Sequence, residues 1–191
     1  HSSAHLAVFA NQSGGANLIA AGVTPSGWAS YALTGSGGFG GSLNSPLSVD
    51  PIALTGLTVA GTTYLYMAVE GSSLPQGYVL GSNGGLTALS SAPLVLGGAN
   101  QDDLTTAVTA NGTYLVSVSA SGNMISSYSV AANGALTLAG QTSSQVGTGF
   151  SKPTEVDSLT IGGTSFVIVA ASESSSLSVF RVLPNGELYH A

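Results

Sequence analysis

The sequence has no cysteine among its 191 residues. No disulfide can therefore cross-link the fold, and no thiolate is available as a nucleophile or a metal ligand. A chain of this length is large enough to bury a core of its own. The sequence predicts one repeat domain over residues 1–191, held together by packing alone.

Charged side chains are almost as scarce. Lys152 and Arg181 are the only basic residues, against eight Asp and Glu, which gives a formal net charge of −6. Nucleic-acid binding is excluded, because it needs several Lys or Arg contacts to phosphates. So little charge fits two kinds of protein: an exported domain covered by Ser, Thr and Gly, or a subunit that buries much of its surface in an assembly.

Long apolar runs are also missing. The longest candidate, residues 166–171, is strand-sized, whereas a membrane-spanning helix needs about 20 residues. The sequence predicts no transmembrane span, and no signal peptide is visible. The lack of cysteine suits an exported protein, so the expected location is secreted or cell-surface, in a bacterium.

What the sequence does contain is an internal repeat of about 50 residues, a period typical of stacked β-structures. The aromatic residues Tyr64, Tyr114 and Phe166 lie 50 and 52 residues apart. The same two spacings separate Tyr78, Tyr128 and Phe180, and also Asn83-Gly84, Asn133-Gly134 and Asn185-Gly186.

Each repeat unit is predicted to form four short strands. In the third unit they fall near residues 104–109, 114–119, 125–130 and 135–138, where β-branched and aromatic residues alternate with polar ones. Asn133-Gly134 before the last strand predicts a type I′ hairpin turn, which needs a positive φ at both central residues.

The first unit is the least regular. Residues 5–10 match the second strand of the other units, and Pro25-Ser26-Gly27 replaces the Asn-Gly turn. A first strand is therefore expected to be missing. The predicted units are residues 1–33 (incomplete), 50–96, 101–141 and 154–191, with a Gly/Ser-rich connector at 34–49.

Four-stranded antiparallel units of this length are typical of β-propeller blades. The fold class is therefore all-β: a propeller-type repeat of about four blades, complete in itself or half of a larger ring. A β-prism or a sandwich is the structural alternative. Because a single blade has two apolar faces, blades must stack to bury them.

Two of the repeats read "DDLTTAVTANGTYLVSVSASGNMISSYSVAANGALT" and "SLTIGGTSFVIVAASESSSLSVFRVLPNGEL". They resemble the β-propeller-like repeats of exported alphaproteobacterial haemolysin-type calcium-binding (repeats-in-toxin) proteins. They also resemble, more distantly, the lactonase and YVTN-type propellers. The resemblance covers about three quarters of the chain and implies a fold more than an activity. Gly35–Leu43 has the glycines of the calcium-binding nonapeptide but lacks its Asp.

Acidic residues cluster where the blades are expected to start, and an acidic ring at one mouth of a central channel would suit calcium. Calcium is the one cofactor that the sequence suggests. The alternative is that these acids stabilise turns. The candidate metal ligands are Asp50, Asp102, Asp103, Glu155 and Asp157.

The remaining candidates are histidines and aromatic residues. His1, His5 and His190 lie at the chain ends, where frayed termini and a metal site are the two interpretations. Trp28 and Tyr31 fall outside the repeat register and are the candidate contacts for a glycan or a protein partner. The tyrosines in register are interpreted as blade-packing residues.

Together these features favour a non-catalytic exported or cell-surface propeller that acts in interaction or assembly. Its expected partners are other copies of itself or a larger assembly, a glycan, or a surface protein. The alternative function is a lactonase-like propeller hydrolase, which would require polar residues converging on a central pocket.

Overall fold

A computed structural model describes residues 5–22, 27–46, 50–89, 100–144 and 149–191. His1 and residues Pro25 and Ser26 of the predicted turn lie outside these ranges, as do residues 90–99 between the second and third repeats. The described residues contain no helix, and so none that is long and apolar enough to cross a membrane.

The described residues form four antiparallel sheets of four strands, and strands that follow one another in the chain are neighbours in each sheet. The sheets are named blades 1 to 4. Blade 1 consists of β1 (His5–Ala10), β2 (Ala16–Ala21), β3 (Gly27–Leu33) and β4 (Phe39–Pro46). Blade 2 consists of β5 (Pro51–Val59), β6 (Thr62–Val69), β7 (Gln76–Leu80) and β8 (Leu86–Ala88). Blade 3 consists of β9 (Asp103–Thr109), β10 (Gly112–Ser119), β11 (Met124–Val130) and β12 (Leu136–Ser143). Blade 4 consists of β13 (Pro153–Ile161), β14 (Thr164–Ala171), β15 (Ser176–Val182) and β16 (Leu188–His190).

The first strands of successive blades pack against one another, β1 on β5, β5 on β9 and β9 on β13. These inner strands line the axis around which the blades stack. Two hydrogen bonds join β13 to β9. The Asp103 carboxylate accepts from Val156 N–H, and further along both strands the Thr106 carbonyl accepts from the Ser158 hydroxyl. The inner strands β9 and β13 therefore run in the same direction. The prediction of an all-β propeller-type fold is confirmed.

Blade 1 differs from the sequence prediction by one strand. The segment His5–Ala10 is the inner strand of its sheet rather than the second, and Phe39–Pro46 pairs with β3 inside the predicted connector. The expected gap in blade 1 is therefore filled. Ser36-Gly37 takes the place of the Asn-Gly pair, because Gly37 has a φ of +80° and Thr34 N–H donates to the Gly38 carbonyl at 2.9 Å.

The turns before the last strands are tight but are not of type I′. In blade 3, Gly134 has a φ of +79° and Asn133 is not among the residues with positive φ. The amide of Ala131 donates to the Ala135 carbonyl at 2.9 Å, and the Asn133 carboxamide oxygen accepts from Ala135 N–H at 3.1 Å. This is a three-residue loop ending in a bulge with a left-handed glycine. The asparagine acts through its side chain.

Hydroxyl groups join each blade to the next. Tyr64 of blade 2 donates to the Ala132 carbonyl of blade 3 at 2.7 Å, and Tyr114 of blade 3 donates to the Pro184 carbonyl of blade 4 at 2.8 Å. Both carbonyls belong to the residue before the Asn-Gly pair. Tyr66 makes a similar bond to Gly134, and burial raises its pKa so that the phenol remains a neutral donor.

The hydrophobic core is divided among the interfaces between blades. One cluster fills the space between blades 3 and 4 around Val116, Phe150 and Phe180, and another fills the space between blades 2 and 3 around Tyr66 and Leu115. The blade-packing interpretation of the repeated tyrosines is confirmed, because each is at most 7% exposed: Tyr64, Tyr78, Tyr114 and Tyr128.

Candidate functional site

The inner strands carry titratable side chains at one repeated position. The position is counted from a cross-strand pair that recurs in all four blades. It lies four residues before the inner-strand member of that pair. Those pairs are Phe9 with Asn17, Leu57 with Tyr64, Ala107 with Tyr114 and Leu159 with Phe166. The repeated position, named the channel layer, is occupied in blade order by His5, Ala53, Asp103 and Glu155.

The channel layer lies near the beginning of each inner strand. Because the inner strands surround the axis and run in the same direction, the four positions lie at the same end of it. His5 and Glu155 both act electrostatically on Asp103, although one belongs to blade 1 and the other to blade 4. The layer thus holds an imidazole and two carboxyl groups within interaction range.

Asp103 is fixed by a hydrogen bond to the next blade. Its Oδ2 accepts from the Val156 amide of blade 4 at 2.8 Å. Burial raises the pKa of Asp103, and the negative charge of Glu155 adds to this effect. Hydrogen bonds from the amides of Val156 and Leu104 and the charge of His5 oppose it. A partly buried carboxyl group with a raised pKa is a candidate general base.

Of the other predicted metal ligands, only Glu155 shares the channel layer with Asp103. The Asp102 carboxylate accepts from Ala120 N–H of its own blade at 2.7 Å, and Asp157 accepts from the following Ser158 amide at 2.7 Å. The exposed Asp50 accepts at its carbonyl from Glu70 N–H. Within the described ranges, no group of three or more His, Asp or Glu side chains could hold a metal ion. The calcium interpretation is not supported. The bond of Asp102 fits the stabilisation of a turn, because Ala120 directly follows β10, whereas Asp157 lies within strand β13.

The two predicted contact residues have different positions. Trp28 is buried against Met67 and Tyr78 between blades 1 and 2, which makes it a core residue rather than a surface contact. Tyr31 is half-buried and meets Phe39 edge to face, with ring centroids 6.0 Å apart. It pairs with Leu18 as Tyr78 pairs with Leu65, so it belongs to the repeat register after all.

His5 is the candidate site residue that sequence reasoning missed, having been interpreted as a frayed or metal-binding terminal histidine. The signal was the spacing from Tyr31 to Ser36, which equals the spacing from Tyr128 to Asn133. When Tyr31 is aligned with Tyr128 by this spacing, residues 5–10 take the place of an inner strand. His190, by contrast, packs on Phe180 in blade 4, with ring centroids 4.9 Å apart.

Neither the protein-family models nor the curated proteins contain a match to this chain. Solved structures do match. A Bacteroides uniformis protein proposed to be a 6-phosphogluconolactonase superposes with a TM-score of 0.71 at 16% identity, over 99% of this chain and 54% of its own. The Pseudomonas aeruginosa periplasmic gluconolactonase gives 0.63 at 20% identity, over 96% and 52%. The chain has the fold of the lactonase-type β-propellers.

A Lactobacillus plantarum protein shares this fold as well, with a TM-score of 0.70 at 16% identity over 98% of this chain. The chain spans about half the length of these structural neighbours, since it covers 52–54% of each. The comparisons give no support to the resemblance to repeats-in-toxin proteins. At these identities they establish the fold and leave the chemistry to the residues of the channel layer.

Proposed function

We propose that this chain forms part of a lactonase-type propeller and hydrolyses a sugar lactone at the channel layer. The observation that carries the proposal is the convergence of His5, Asp103 and Glu155 in one layer of the axis. The lactonase names of two structural neighbours support it. They favour this function over the non-catalytic one that the sequence suggested.

The chemistry follows from the groups present. Opening a lactone requires a base that takes a proton from water and an acid that returns one to the leaving ring oxygen. In the proposed reaction, Asp103 accepts the proton as the water oxygen bonds to the carbonyl carbon. The ring carbon–oxygen bond then breaks, and the His5 imidazolium protonates the alkoxide. The proton taken up by Asp103 then returns to His5, which restores both groups. One water is consumed, and the products are a carboxylic acid and an alcohol.

Charge favours a lactone without phosphate. Phosphate recognition uses Arg, Lys or helix N-termini, and the whole chain has two basic residues. Lys152 pairs with Glu173 at 3.7 Å on the surface, and the Arg181 guanidinium lies 5.9 Å from the centroid of the Tyr189 ring. Neither belongs to the channel layer, where two carboxylates would repel a phosphate.

A pH-stat assay tests this proposal by following acid release from glucono-1,5-lactone and its 6-phosphate against spontaneous opening. The expected result is acceleration of the unphosphorylated lactone, with little effect on the phosphorylated one. An ordinary aspartate has a pKa of about 4. Since the pKa of Asp103 is raised, the rate should begin to fall on acidification at a pH above that value. No acceleration of any uncharged aldonolactone above background would refute the function.

A further inference from the structure

The two outermost sheets each expose an apolar face, and no described part of the chain covers either one. The outer face of blade 1, named the leading face, carries Leu6, Val8, Leu18, Tyr31 and Phe39. Leu6 is 65% exposed, Val8 57% and Phe39 64%. Such clustering on a soluble domain marks an interaction surface.

The outer face of blade 4, named the trailing face, is its counterpart. It carries Leu159, Phe166, Ile168, Leu177 and Val179 on three adjacent strands. Leu177 is 73% exposed. In blade 3 the positions of Phe166 and Ile168 are occupied by Tyr114 and Val116, which are covered by blade 4.

The repeat shows what kind of surface covers the leading face. A cross-strand pair of one aliphatic and one aromatic residue recurs in all four blades. In blades 2 to 4 this pair is buried beneath the preceding blade, and in blade 1 the pair Leu18–Tyr31 is left half-buried. The three buried pairs are Leu65–Tyr78, Leu115–Tyr128 and Val167–Phe180.

Charge is compatible with burying the leading face. Residues 1–49 contain no Asp, Glu, Lys or Arg, so covering this face desolvates no ionic group. On the trailing face, Glu155 occupies the position of Asp103, whose carboxylate accepts the Val156 amide of the next blade. Leu6 is the blade 1 equivalent of Val156, so Glu155 is placed to accept a Leu6 amide.

We propose that the trailing face of one copy of this chain docks on the leading face of a second copy, and that two copies close a ring head to tail. Each face matches one side of the interfaces that already join the four blades. A head-to-tail contact generates a closed ring when the rotation between successive copies adds up to a full turn.

Ring closure would also complete the channel. The four blades of one copy enclose its channel layer on one side of the axis only. In the closed ring, the four blades of the second copy would enclose the other side, so that each layer would have less access to bulk water. The pairing rests on the register of the faces and does not depend on the proposed lactonase activity.

Native mass spectrometry and light scattering on the 191-residue chain test the pairing. The expected mass is twice the chain mass of 18.7 kDa. Val8→Asp should weaken dimerisation about 100-fold or more by burying an unpaired charge, and so should Leu177→Asp. Val108→Asp is the matched control, because Val108 lies on the inner strand of blade 3 with 58% exposure and belongs to neither face.

Mixing the two face variants separates head-to-tail pairing from other arrangements. Val8→Asp keeps an intact trailing face and Leu177→Asp an intact leading face, so an equal mixture should recover a dimer through one interface. Circular dichroism confirms that each variant is folded. A monomeric wild-type chain, a ladder of larger masses, a dimer that survives either substitution or a mixture that remains monomeric would each overturn the proposal. Loss of lactonase activity would not affect it.

Discussion

Gly134→Ala is expected to lower the free energy of unfolding by about 3 kcal/mol. Gly134 has a φ of +79°, where an L-residue costs about 1–2 kcal/mol. An added Cβ would also come within 2.6 Å of the Tyr64 ring in the preceding blade, and such overpacking costs about 1–3 kcal/mol. Urea unfolding followed by circular dichroism gives the difference.

Gly37→Ala is the matched control for this substitution. Gly37 occupies the equivalent turn of blade 1 with a φ of +80°, but nothing lies within 4 Å of a Cβ there. It should cost only the backbone term of about 1–2 kcal/mol. Equal losses in the two variants would show that contact between the turn and the preceding tyrosine contributes nothing.

Asp103→Asn should reduce lactone hydrolysis by about 100-fold or more, the usual contribution of a general base. Asparagine has nearly the same shape and can still accept the Val156 amide through its oxygen, so the blades should stay joined. Asp102→Asn is the control. Asp102 is next to Asp103 in the sequence, but its carboxylate accepts from the Ala120 amide within its own blade, outside the channel layer. Similar kinetics in the two variants would remove Asp103 from the reaction.

Stability distinguishes a lost base from a damaged fold. The pKa of Asp103 is raised by folding, so the stabilisation from its protonated form is complete below the unfolded pKa and is lost as the pH rises through the folded value. At neutral pH the uncharged Asp103→Asn variant should therefore melt at the same temperature as the wild type or higher. This advantage should disappear in acid. A lower melting temperature at neutral pH would mean that the carboxylate is structurally required.

Three blades could be predicted from the sequence because their landmarks recur at fixed spacing. Blade 1 could not, since two landmarks are replaced: Asn17 stands at the position of Tyr64, and Ser36-Gly37 at that of Asn-Gly. Ser36-Gly37 preserves the local geometry, because serine and glycine form the same turn. The prediction therefore shifted blade 1 by one strand.

That shift also concealed most of the candidate site. Asp103 and Glu155 were identified as acids near blade starts, but composition could not separate them from Asp50, Asp102 and Asp157. Only the strand register does so, because it gives Asp103 and Glu155 the same position in their inner strands and places the other acids elsewhere. With β1 taken for a second strand, His5 could not be placed opposite the carboxylates.

Several of the hydrogen bonds that join one blade to the next have an uncharged donor and an uncharged acceptor. Tyr64, Tyr66 and Tyr114 donate to backbone carbonyls, and Thr63 does the same to the Ala10 carbonyl at 2.8 Å. Dissolved ions screen interactions between charges and leave such neutral contacts almost unchanged. These contacts between the blades should therefore be largely independent of ionic strength.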